Sequence, residues 1–89
     1  MASTHTTREQ RLKQLVAMMK ANVDRFNDAA GAHIQLANEF EEFMNDEQLD
    51  GGERCACAYE AKEERAMAAS LLRRAKDMQT FAEMLSYGQ

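Results

Sequence analysis

The sequence predicts an all-α protein folded as an antiparallel hairpin of two long helices. Proline and tryptophan are absent, and alanine, leucine, methionine, glutamate, lysine, arginine and glutamine fill most positions, a composition of strong helix formers. Apolar residues recur at seven-residue spacing through two long stretches, which marks one face of a helix. The segment between them loses the spacing and contains a pair of glycines.

Residues 1–6 are small, polar and aperiodic and are expected to form a flexible tail. Thr6 with Glu9, or Thr7 with Gln10, has capping-box spacing, in which each side chain satisfies a backbone amide left free at a helix start. The first helix is therefore expected over about 7–45, roughly 58 Å at the usual rise. Leu12, Met19, Phe26, His33 and Phe40 form one row. Leu15, Leu36 and Phe43 stand beside it, and Val16, Val23, Ala30, Ala37 and Met44 make a third. Three adjacent rows are wider than the two-row seam of a two-stranded coiled coil.

Gly31 costs roughly 1 kcal/mol against alanine inside a helix, so a break there, giving a three-helix bundle, is the alternative fold. The phase of Phe26, His33 and Phe40 runs through the glycine undisturbed, whereas a loop would reset it. A continuous helix is expected.

Residues 46–52, DEQLDGG, are expected to turn the chain, with Gly51 and Gly52 supplying backbone freedom. Asp50 and Glu53 repeat the capping-box spacing, so the second helix is expected to start near Gly51 or Gly52 and to run over about 53–87, ending before Gly88. It carries Ala61, Ala68, Ala75 and Ala82 at seven-residue steps, with Leu71, Met78 and Leu85 beside them and Met67 and Phe81 extending the face. Small side chains along one edge let two helices approach closely. The expected helix–helix interface is Leu12, Met19, Phe26 and Phe40 against Ala68, Leu71, Ala75, Met78 and Leu85. One hairpin has a single such interface, so the surplus apolar surface of the first helix predicts a homodimer forming a four-helix bundle.

The 89 residues suit one domain. No run approaches the roughly 18 apolar residues of a membrane span, and residues 1–7 lack the regions of a signal peptide. A cytoplasmic location without membrane association is expected. Cys55 and Cys57 are expected as thiols; on a helix they diverge by about 200°, which suits neither a mutual disulfide nor a chelate.

No catalytic, cofactor or metal residue is assigned, and no enzyme activity or small-molecule substrate is expected. Asp46, Gln48, Asp50 and Gly51 match positions 1, 3, 5 and 6 of a calcium loop, but Cys57 stands where its closing glutamate belongs. Neither His5 nor His33 has a glutamate three residues before it, so the di-iron bundle pattern is absent. His33 lies in an apolar row and reads as an interface histidine with a hydrogen-bond partner. Hydrolytic triads, phosphate-binding glycine loops and dinucleotide fingerprints are missing.

Charge is unevenly placed. Glu39, Glu41, Glu42, Asp46, Glu47, Asp50 and Glu53 fall in a stretch without lysine or arginine, a candidate surface for a basic partner. Arg8, Arg11, Lys13 and Lys20 share the opposite end with Arg73, Arg74 and Lys76, diluted by Glu9, Asp77 and Glu83. The expected function is a small helical protein-interaction module, a regulator, adaptor or inhibitor of a larger protein, in the style of phage or plasmid regulators. A dimeric hairpin also resembles the plasmid copy-control RNA-binding hairpins in helix count. That alternative meets a net charge of −4, which opposes binding a polyanion. A structural assembly subunit is the third class.

Overall fold

The computed structural model describes residues 3–87, with side chains from Thr7 onward. Its described residues form two helices and no strand: α1, Ser3–Phe43, and α2, Gly51–Tyr87. They pack against one another along their length in a rod whose Cα atoms extend over 72 × 17 × 14 Å.

Helix α1 is continuous through Gly31, which removes the three-helix alternative. A Cβ built at Gly31 would meet nothing within 4 Å, so the glycine marks neither a close approach nor a break. The helix begins at Ser3, upstream of the expected start at Thr7, and the part of the expected tail from Ser3 to Thr6 is helical. Adding a residue to an existing helix gains a hydrogen bond without a new nucleation cost, which offsets the modest propensity penalty of serine and threonine. Met1, Ala2 and the expected stop at Gly88 lie outside the described residues.

The reversal spans residues 44–50. The final turn tightens: Met44 N–H still donates to the Phe40 carbonyl, at 3.0 Å, but Asn45 and Asp46 donate to Glu42 and Phe43, three residues back. Asp46 Oδ1 accepts from Gln48 N–H at 2.9 Å. Arg54 then ties the turn from α2, donating to the carbonyls of Leu49 and Asp46 at 3.3 and 3.1 Å. The expected cap is formed, with Glu53 N–H donating to Asp50 Oδ1 at 2.7 Å and Asp50 N–H donating to Glu53 Oε1 at 3.2 Å.

The glycine pair does not make the turn. Gly51 and Gly52 open α2, and no described glycine has a positive φ. The side-chain bonds of Asp46, Asp50 and Arg54 hold the reversal in ordinary backbone conformations.

The buried core consists of two rows at seven-residue steps: Val16, Val23, Ala30 and Ala37 on α1, and Ala61, Ala68, Ala75 and Ala82 on α2. The cross-helix pairs His33–Glu64 and Glu41–Arg65 set the antiparallel register. It puts Ala37 level with Ala61, Ala30 with Ala68, Val23 with Ala75 and Val16 with Ala82. Of the expected interface, Ala68 and Ala75 are buried, whereas Leu12, Met19, Phe26, Phe40, Leu71, Met78 and Leu85 are half-buried. The deepest α1 positions belong to the valine and alanine row. Only small side chains fit on the line where two backbones are closest; larger ones fill the flank.

Ala68→Leu or Ala75→Leu is expected to lower stability by about 1–3 kcal/mol, because an enlarged side chain forces the helices apart. Denaturant midpoints measure this, with an exposed alanine such as Ala69 substituted in parallel as the control that should not respond.

Candidate functional site

Each helix turns by about 100° per residue, so the two long edges of the hairpin can be read from the rows beside its core. One edge carries Leu12, Met19, Phe26, His33 and Phe40 from α1, level with Leu85, Met78, Leu71, Glu64 and Cys57 from α2, all half-buried. The other carries Lys20, Asn27 and Glu41 opposite Arg65, Gln79 and Ser86. Ile34 and Leu72 are its apolar exceptions. The hairpin is therefore two-faced.

The next rows outward continue the apolar edge. Leu15, Leu36 and Phe43 of α1 are 49%, 43% and 53% exposed, and Met67 and Phe81 of α2 are 51% and 55% exposed. These large side chains flank the half-buried row on both sides, in rows they share with Arg8, Asn22, Glu53, Glu60 and Arg74; the half-buried row itself forms the apolar strip along the rod. The chain has 6912 Å² of accessible surface, against about 5,300 Å² for a compact monomer of its mass. Among the described residues no large side chain is fully buried.

One polar pair interrupts this surface. His33 Nδ1 is hydrogen-bonded to Glu64 Oε2 across the helices, with side chains 31% and 14% exposed. The pair occupies a position that is apolar on both helices one step nearer the open end, at Phe26 and Leu71. The histidine's expected partner is thus supplied by α2. Beside it an open groove is lined by His33, Glu63, Ala66, Met67, Ser70 and Leu71.

The acidic turn end is less bare than its sequence. All seven carboxylate residues from Glu39 to Glu53 are exposed, and Glu39, Glu42 and Asp46 line one shallow groove with Phe43 and Asn45. Folding brings arginines in from α2. Arg65 donates to Glu41 Oε1 and to Asn38 Oδ1, both at 2.8 Å. That hydrogen bond, reinforced by the arginine's charge and opposed by partial desolvation, holds the Glu41 carboxyl below its ordinary range. Arg65 is 24 residues from Glu41 in sequence, so a scan of neighbouring residues misses it.

Cys55 is exposed and Cys57 half-buried, and both are free thiols. Among the described residues no three of histidine, cysteine, aspartate and glutamate group as metal ligands, and no helix is long and apolar enough to cross a membrane. Comparison with protein-family models, curated proteins and solved structures finds no match.

The Glu41 shift carries a pH dependence of defined sign. A carboxyl whose folded value is lowered stabilises the fold above the unfolded carboxylate range, and this contribution is lost as pH falls through the folded value. The melting temperature of Glu41→Gln is expected to lie below the parent's at neutral pH and to converge with it in acid; thermal melts across pH measure this.

For the polar pair, His33→Ala is expected to cost about 1–3 kcal/mol, since it strands a mostly covered carboxylate. His33→Leu combined with Glu64→Leu should recover that loss or exceed it, because an apolar pair of similar volume carries no desolvation penalty. Chemical denaturation of both variants gives the comparison.

Proposed function

We propose that this chain is a helical protein-interaction module that works as a homodimer, two hairpins meeting through their apolar edges in a four-helix bundle. The observation that supports it is the long, mainly apolar face, with Leu15, Leu36, Phe43, Met67 and Phe81 exposed beside half-buried rows. Monomeric proteins rarely leave so long an apolar surface in water. The surface in excess of a compact monomer, about 1,600 Å² per chain, exceeds the roughly 800 Å² that one partner contributes to a standard interface. A second copy offers the same length, spacing and apolar character.

The core points the same way. Valine and alanine bury little apolar area per residue, and a small domain has little margin. Covering the half-buried leucines, methionines and phenylalanines would add the missing hydrophobic stabilisation. Methionines at 18, 67 and 84 are exposed, and their flexible side chains suit packing against another helix.

In this reading the module is non-enzymatic and acts as a regulator, adaptor or inhibitor of a larger protein. The carboxylates of Glu42, Asp46 and Glu47 form the complementary surface for a partner rich in lysine and arginine. Their sign and the net charge of −4 count against nucleic acid as the ligand.

Sedimentation velocity is expected to show a dimer at micromolar concentration. Leu36→Glu, at a position already exposed in the hairpin, should shift it toward monomer while retaining helicity by circular dichroism. A parent protein that sediments as a fully helical monomer at every concentration would remove the bundle.

A further inference from the structure

We infer that the two hairpins pack antiparallel, the turn of each copy over the open end of the other, with α1 lying along α1 about a two-fold axis at the Phe26 level. This deepens the homodimer reading and rests on it. The face itself carries the orientation, through the side chains in the rows that flank it.

Charge in those flanking rows is segregated along the rod. Toward the turn it is acidic, with Glu39, Glu53, Glu60 and Glu63; toward the open end it is basic on α1, with Arg8 and Arg11, while Arg25 and Arg74 stand at mid-rod, all exposed. Asp77 is the exception. The half-buried α1 row has five members, Leu12 to Phe40, with Phe26 at its centre. A two-fold axis at that centre and perpendicular to the rod lays the row on its own reverse. Phe40 then meets Leu12 of the second copy, and His33 meets Met19.

The same operation matches the flanks. Leu15 comes level with Leu36 of the second copy, and Arg11 with Glu39, each contact occurring twice by symmetry. Leu15 and Leu36 thus cover one another with an opposite-charge pair at their border, and Arg25, near the axis, is the like-charged exception, beside Arg25 of the second copy.

The alternative axis, parallel to the rod, sets α1 beside α2 of the second copy with both turns at the same end. It brings Glu39 level with Glu60 and Arg25 level with Arg74. Those like-charged pairs also occur twice and oppose association. Antiparallel packing further leaves one acidic turn at each end of the bundle, so one dimer can engage two basic partners.

Pulsed electron–electron resonance on a dimer spin-labelled at Cys55, in a Cys57→Ser background, tests this. Cys55 is exposed. At a rise of 1.5 Å per residue, its two copies should lie about 50 Å apart in the antiparallel bundle and under about 30 Å apart in the parallel one. A short distance in a confirmed dimer would overturn the orientation and leave the dimer standing; a protein that is monomeric under the same conditions would overturn both. Charge reversal gives an independent sign. Glu39→Arg should weaken the dimer a few-fold by facing Arg11, with Arg11→Glu restoring it, whereas tighter association of Glu39→Arg alone would favour the parallel form.

Discussion

Close approach of the two helices along a line of small side chains organises the molecule. Ala61, Ala68, Ala75 and Ala82 lie against Val16, Val23, Ala30 and Ala37, and these eight residues are the buried apolar set. Because neither row has bulk, the next rows out are drawn toward the seam, where Leu12, Met19, Phe26 and Phe40 become half-buried beside Leu71, Met78 and Leu85. The seven-residue step on both helices keeps this arrangement in phase over the whole rod. The turn needs only to deliver α2 in register, which Arg54 and the Asp50–Glu53 cap accomplish with ordinary backbone geometry.

The same constraint creates the surface that most needs a role. A core of alanine and valine holds two helices together along a narrow strip and leaves the larger hydrophobic side chains at its edge. Most of those side chains lean toward one edge of the hairpin, while the Glu41–Arg65 pair, Lys20 and Gln79 occupy the other with Ile34 and Leu72. The proposed dimer would complete the hydrophobic burial of a two-faced rod of this kind. The His33–Glu64 pair lies in the apolar edge, where a polar pair contributes little net stability but restricts which arrangements leave it satisfied.

Electrostatics adds direction to a surface whose apolar repeat is nearly uniform. Rows that recur every seven residues can slide or reverse with small change in packing, so the leucine, methionine and phenylalanine positions by themselves admit more than one way of meeting a second copy. In the proposed dimer, acidic residues toward the turn and basic residues toward the open end of α1 favour one of them. Rim charges of this type set orientation and association rate more than affinity.

The sequence by itself determined the helical class, the continuity of α1 through Gly31, the position of the reversal and the Asp50–Glu53 cap. These depend on local propensity, on periodicity within one helix and on spacings of three or four residues. It also contained both buried rows, although it did not rank them: Val16 and Val23 are more covered than Phe26 and Phe40 because the line of closest approach excludes large side chains. The start of α1 at Ser3 was hidden for a different reason, since helix extension into a polar segment leaves no periodic signal. Gly51 and Gly52 misled as turn formers because glycine permits unusual backbone conformations without requiring them. Only the tertiary structure decided that Glu64 partners His33 and that Arg65 partners Glu41, pairs joined across the seam by residues 31 and 24 positions apart. It alone separated the apolar edge from the polar one, because which flank faces outward depends on how two helices are rotated against each other, a relation that no single helix encodes.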